Sequence, residues 1–220
     1  MIADARLDML LITETWHENT ESVWLKRITP NGYKCVDAAR PLASEHVHKA
    51  ELRNYGGIAL VYRDNVTVTQ YALGAKPATF EHLCVDVTTE HNSLLLLCVY
   101  RPGNQAVTAQ FFNELTSVLE QLSVQRRPLL VCGDLNIHID DNDDVYVTRL
   151  NELLQTFDLV QHVREPTHAA GHIFDVVISR SDTVVQQLSV GDFVSDHAVV
   201  NFNLNLRRSA STRQLVTRRS

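Results

Sequence analysis

Glu14, Tyr100, Asp134, Asn136, Asp175, Asp196 and His197 are the residues whose types and settings suit chemistry in this chain of 220. Asp134 and Asn136 follow Gly133 at the end of an apolar run, residues 128–132. Alternate residues of an extended segment share one face, so the spacing predicts that the two side chains point the same way. Glu14 ends a second apolar run at 7–12, Asp175 sits inside a third at 173–179, and Asp196-His197 open a fourth at 198–204. Carboxylates at the ends of buried strands, with an amide and an imidazole, suit metal-assisted hydrolysis of a phosphodiester. That reaction needs rate assistance towards the upper end of about 8–23 kcal/mol. A hard cation such as Mg²⁺ stabilises charge on phosphate oxygens, takes oxygen ligands and keeps several waters, so one or two carboxylates suffice to hold it. Glu14 is the first candidate ligand and Asp196 the second. Asp134 would orient and deprotonate water, and Asn136 would donate to the phosphate or hold Asp134. His197 would donate to a phosphate oxygen, Asp175 would fix the His197 tautomer, and Tyr100 would offer a phenolic donor.

Each assignment has a plainer alternative when taken alone. Gly133 to Asn136 could close a strand in a turn, Glu14 could be a helix N-terminal acid, and Tyr100 could be a rim tyrosine. Asp175 is harder to dismiss, because a carboxylate in an apolar strand needs a partner. The acidic run Asp140 to Asp144 lacks the glycine and glutamate of a calcium loop, with Val145 and Asn151 in those places, and is rejected as one. His46 and His48 fall in a polar stretch read as loop. His138, His162, His168 and His172 lack zinc-ligand spacing. Thr167 and His168 are expected to line a groove.

The elements that must carry these residues follow from pattern. Apolar or alternating runs predict strands at 7–12, 33–36, 58–62, 66–69, 80–87, 93–100, 128–132, 173–179, 184–190 and 198–204. The run 93–100 is apolar on both parities and reads as central, whereas 80–87 alternates and reads as half-exposed. Phe111, Phe112, Leu115, Val118, Leu119 and Leu122 recur at helical spacing, predicting a helix over 108–124. A second helix is marked by Val145 to Phe157, and a short turn by 23–27. Many strands joined by hairpin turns, with two crossing helices, indicate an α/β sandwich of two packed sheets. Hydrophobic residues make up 45% and charged residues 21%, an ordinary globular balance for one domain. No apolar run approaches the ~20 residues of a membrane helix, and no cleaved signal is expected. Cys35, Cys84, Cys98 and Cys132 read as free thiols. Net charge is −6, but residues 207–220 hold five arginines and no acid, leaving −11 for residues 1–206.

The stretches Thr13-Glu14-Thr15-Trp16, Val99-Tyr100-Arg101-Pro102, Gly133-Asp134-Leu135-Asn136, Phe174-Asp175-Val176-Val177 and Ser195-Asp196-His197 occur in an order that resembles the endonuclease/exonuclease/phosphatase superfamily. From 129 to 180 the wording is similar to the endonuclease domain of non-LTR (LINE-type) retrotransposons. The resemblance implies a DNase I-like, four-layer α/β sandwich over 1–206, with two mixed sheets flanked by helices. It also implies Mg²⁺, with Mn²⁺ as a substitute, and DNA as partner. The product would be a nick that primes reverse transcription in the nucleus, and 207–220 would link to a reverse transcriptase region. Two other readings stand beside it: an inactive remnant that binds nucleic acid, and a repair-type abasic endonuclease or phosphomonoesterase. The resemblance further implies a strand before residue 7 carrying an asparagine; six residues precede Leu7, and none is asparagine.

Overall fold

The computed structural model describes residue 2 and residues 6–17, 22–40, 56–74, 76–90, 92–125, 127–181 and 183–205. The His46 and His48 loop and the basic tail lie outside them. The apolar runs become strands because, buried on both faces, they can satisfy their backbone groups only by pairing. In chain order the elements are β1 (Met9–Thr13), α1 (Val23–Ile28), β2 (Tyr33–Ala38), β3 (Ile58–Arg63), β4 (Thr67–Gln70), β5 (Glu81–Thr88), β6 (Ser93–Tyr100) and α2 (Ala109–Ser123). There follow β7 (Leu129–Asp134), α3 (Val145–Thr156), β8 (Leu159–Gln161), β9 (Asp175–Arg180), β10 (Val184–Phe193) and β11 (Ala198–Asn205).

Six strands form the main sheet in the order β4-β5-β6-β7-β9-β8. Its parallel pair, β6 and β7, is joined through α2, as a parallel crossover requires. One face is sealed by α2 and α3, with Phe111, Phe112, Leu119 and Leu150 against Leu95, Leu97, Val131 and Ile178. Thr108 caps α2 by accepting from the Phe111 N–H, and Asp144 caps α3 by accepting from the Tyr146 N–H. The opposite face carries a second layer of strands in two antiparallel pieces, β1-β3-β2 and β10-β11. Both pieces pack on that face, through Ile58 and Leu60 of β3, Met9 and Leu11 of β1, and Val200 and Phe202 of β11. Among the described residues, β1 pairs only with β3 and β11 only with β10, so each keeps an edge without a strand partner.

Several expectations are refined. Strand β5 is not half-exposed: Cys84 faces the helical core while Leu83 and Val85 face the second layer. Strand β8 was not foreseen, because three residues are too few to show a period. All four cysteines are free, three of them buried, as expected. Gly133 has φ +136°, and a Cβ there would lie 1.9 Å from the Val99 carbonyl oxygen, so only glycine lets β6 and β7 approach at this level.

Candidate active site

Strand register assembles the first part of the site. Tyr100 lies beside Asp134 across the β6–β7 pair, and Asp134 lies opposite Asp175 across the β7–β9 pair. Paired residues share a face, and Tyr100, Cys98, Cys132 and Val177 all face the second strand layer. The row Tyr100–Asp134–Asp175 therefore opens into the seam between the layers. From the other side of that seam come Glu14, just past β1, and His197, just before β11.

Asp134 is 2% exposed. Its Oδ1 accepts the Asn136 backbone N–H at 2.7 Å, and its Oδ2 accepts the Asn136 amide at 2.7 Å. The same amide nitrogen donates to the Arg101 carbonyl at 2.8 Å, so both its hydrogens turn inward. The two side chains do not meet by extended alternation, as the spacing predicted. β7 ends at Asp134, and Asn136 adopts φ +48°, a left-handed turn that folds its amide back onto the carboxylate. Asparagine tolerates that region better than most residues because its short polar group bonds locally.

His197 Nδ1 donates to Asp175 Oδ2 at 2.8 Å, which leaves Nε2 facing Asp134 Oδ2 at 4.0 Å. That gap is too long for a hydrogen bond and borders the space a reacting group would enter. The hydrogen bond it donates to Asp175 chiefly, with the charges of Asp175, Asp134 and Asp196 and against the opposing effect of burial, raises the His197 imidazole to about 9. Burial first, then the neighbouring charges of Asp175 and Glu14, pushes the Asp134 carboxyl up to about 7, against the pull of His197 and the Asn136 N–H.

Glu14 is exposed, and its Oε1 accepts the Tyr100 hydroxyl at 2.5 Å. Burial, then the Glu14 hydrogen bond, drives the Tyr100 phenol upward, so it stays a donor. Tyr100 thus engages Glu14 in this structure. Asp196 has 69% of its side chain exposed, with His168 Nε2 at 3.6 Å from its Oδ2.

The charges of Asp175 and Glu14 that help raise the Asp134 carboxyl mark a place short of positive charge, and the carboxylate oxygens of Glu14 and Asp134 suit a hard divalent cation. A second cluster, His168, Asp196 and His197, brings one ligand atom from each within 4.8 Å. Both Nδ1 atoms are committed, His168 Nδ1 accepting the Ala170 N–H and His197 Nδ1 serving Asp175, while His197 Nε2 stays open towards Asp134.

Sequence reasoning missed two supports, at Arg101 and at Thr15, His17 and Asp37, and placed a third, Thr167, in the wrong role. Arg101, 3% exposed, donates to the carbonyls of Leu135, Pro102, Gln105 and Asn136 at 2.5–3.1 Å, clamping the loop after Asp134. Its signal was a lone charge at the end of an apolar strand. Thr167 does not line a groove: it is fully buried, and its Oγ1 accepts the N–H groups of Phe174 and Asp175. Its carbonyl takes the Ala198 N–H, tying the Asp175 and His197 strands together. Thr15, His17 and Asp37 form a buried chain behind Glu14. Three of the scattered histidines are also gathered: His138 stacks on His172 at 4.2 Å, and both they and His168 flank Phe174. Asp140 accepts from Ile173 N–H and bonds His172, a bracing role in place of a calcium loop.

Two packed strand layers with an Asp–His–Asp constellation in their seam form the site's scaffold. Residues 1–197 match the model of the Endonuclease/Exonuclease/phosphatase family, and the chain belongs to that family, whose members are hydrolytic nucleases and phosphatases. Solved structures with the same fold include the endonuclease domain of TRAS1, a telomere-specific non-LTR retrotransposon. It is 17% identical, with TM-score 0.69, covering 93% of this chain and 88% of that one. The human Nocturnin catalytic domain is 17% identical with TM-score 0.63, covering 93% and 83%. The 3′ phosphatase NExo from Neisseria, bound to a product DNA hairpin, is 18% identical with TM-score 0.64, covering 93% and 91%. No curated protein matches the chain by sequence.

Proposed function

We propose that this chain is a divalent-metal-dependent DNA endonuclease that nicks one strand by attack of water on a phosphodiester. The carrying observation is the row Tyr100–Asp134–Asp175 facing Glu14 and His197 across one seam, with Asp134 near neutrality and His197 cationic. Mg²⁺ held by Glu14, with Asp196 as a second carboxylate, would neutralise charge on the phosphate and leaving oxygen; Mn²⁺ would serve in its place. Asp134 accepts a proton from the attacking water, and its two hydrogen bonds from Asn136 fix the oxygen that does so. His197 donates from Nε2 to a phosphate oxygen, with Nδ1 held by Asp175. Tyr100 orients Glu14, and as the phosphate enters its hydroxyl becomes available to that oxygen.

A retrotransposon endonuclease among the similar structures, together with the wording from 129 to 180, supports target-primed reverse transcription in the nucleus as the setting. On this reading 1–206 is the nuclease domain, and 207–220 is a linker to a reverse transcriptase region. No described helix is long and apolar enough to cross a membrane. DNA affinity rests on phosphate contacts and falls with salt.

Conversion of supercoiled plasmid to open circle in Mg²⁺ tests the proposal. Folded protein that nicks no faster than His197→Ala refutes it and favours the inactive, nucleic-acid-binding remnant, and nicking that is equal in EDTA refutes the metal dependence. The Neisseria 3′ phosphatase gives the phosphatase reading a specific basis. Phosphate release without nicking, or cleavage only at abasic sites, would move the substrate to that side of the family.

A further inference from the structure

Glu14 and Trp16 both have left-handed backbones, at φ +52° each, an unfavourable conformation for residues of their kind. Such strain persists only where the surroundings over-determine it. Here the Thr15 N–H donates to the Gly57 carbonyl and the Trp16 N–H to the Gly56 carbonyl. Thr15 and His17 turn inward, 6% and 3% exposed, while Glu14 and Trp16 turn outward. Inside, Thr15 Oγ1 lies 2.5 Å from His17 Nδ1, and His17 Nε2 lies 2.8 Å from Asp37 Oδ2. A carboxylate only accepts, so His17 Nε2 carries a proton, and in the neutral ring Nδ1 then accepts from the Thr15 hydroxyl. Asp37 belongs to β2 and pairs with Ala59 of β3, whose neighbour Ile58 pairs with Thr13 of β1. The chain thus spans the ends of all three strands of this sheet. Gly57 leaves room for it: a Cβ there would fall 2.6 Å from Thr15 Oγ1 and 2.9 Å from His17 Nδ1.

We infer that the buried Thr15–His17–Asp37 chain is a positioning device for Glu14, setting the carboxylate's direction towards the cation. None of the three is a catalytic residue, and the inference rests on the reading of Glu14 as a metal ligand. His17 locks Thr15, Thr15 locks the left-handed turn, and the turn aims Glu14 at Tyr100 and the seam. Groups that orient a metal ligand from behind typically change metal affinity by about 10–100-fold when removed.

The test measures Mn²⁺ affinity by electron paramagnetic resonance, without substrate, on protein whose far-ultraviolet circular dichroism confirms folding. Thr15→Val keeps the shape and deletes the hydroxyl; Thr15→Ser restores it. Mn²⁺ binding is expected to weaken about tenfold in Thr15→Val and to stay within about twofold of the parent in Thr15→Ser. Glu14→Gln marks the full loss. Should Thr15→Val not fold, His17→Gln carries the same comparison, because it keeps a donor for Asp37 and withdraws the acceptor from Thr15. Weakening in Glu14→Gln with unchanged affinity in Thr15→Val (or its His17→Gln substitute) overturns the inference alone. Equal weakening in Thr15→Val and Thr15→Ser overturns it too. Unchanged affinity in Glu14→Gln overturns the ligand reading and the inference with it.

Discussion

Replacing Asp134 by Asn should make the metal-free protein more stable while abolishing hydrolysis. The carboxyl moves from an ordinary 3.8 to about 7 in the folded chain, because burial and the charges of Asp175 and Glu14 oppose ionisation. At alkaline pH the native state therefore carries an ionised Asp134 at a cost of ~4 kcal/mol relative to the unfolded chain. Asparagine is nearly isosteric, keeps an oxygen for the Asn136 N–H and carries no charge, but its NH2 faces the Asn136 amide that Asp134 Oδ2 accepts in the wild type. Part of the gain therefore returns, because that donor loses its acceptor and His197 loses one of the negative charges that support its proton, leaving ~1–2 kcal/mol. The folded pKa lies above the unfolded one, so the wild type's advantage from a protonated Asp134 is complete below 3.8. It is lost as pH rises through about 7. The variant's extra stability should be small at pH 4, grow across pH 4–7 and level off above. Urea unfolding in EDTA at pH 5 and pH 8 measures this as a shift in midpoint at constant slope. Adding Mg²⁺ at pH 8 should shrink the difference, since a cation stabilises only the charged side chain. A variant no more stable than wild type at pH 8, or a gain independent of pH, would refute the claim that Asp134 is held against its charge.

Three further outcomes follow from the same contacts. Plasmid nicking should rise with pH as Asp134 loses its proton near 7 and fall again as His197 loses its own near 9; Asp175→Asn should move the alkaline limb to lower pH. Arg101→Met leaves the Leu135, Pro102, Gln105 and Asn136 carbonyls without their donor, and urea unfolding should report a loss of ~3–5 kcal/mol. Gly133→Ala drives a methyl into the Val99 carbonyl oxygen and demands φ +136°, so soluble yield and melting temperature should collapse, by ~4 kcal/mol or more.

How much of this was legible in sequence depended on range. The strand at 93–100 and the helix from Phe111 to Leu122 declared themselves, because burial on both faces or on one stripe leaves a local period. Asp175 announced a partner by its apolar setting, and the structure pairs it with His197. What stayed hidden was set by contacts distant in sequence. The left-handed turn at Asn136 needs the Arg101 carbonyl, 35 residues away, to complete it. Thr167 reads as any loop threonine until the β9 and β11 ends close around it. His17 carries no period and no motif, and its role exists only once β2 brings Asp37 to it.

Gly133 and Asp134 are neighbours under opposite pressures. The glycine is required by the spacing of β6 and β7 whether or not any bond is ever cut. On the proposed function, the aspartate is tolerated at a cost to stability that its part in hydrolysis would reward. In a lineage of copies released from selection for cleavage but still selected to fold, Asp134 should drift early, towards asparagine first, while Gly133 persists. A population of such sequences would record in these two columns which copies still cut and which merely fold.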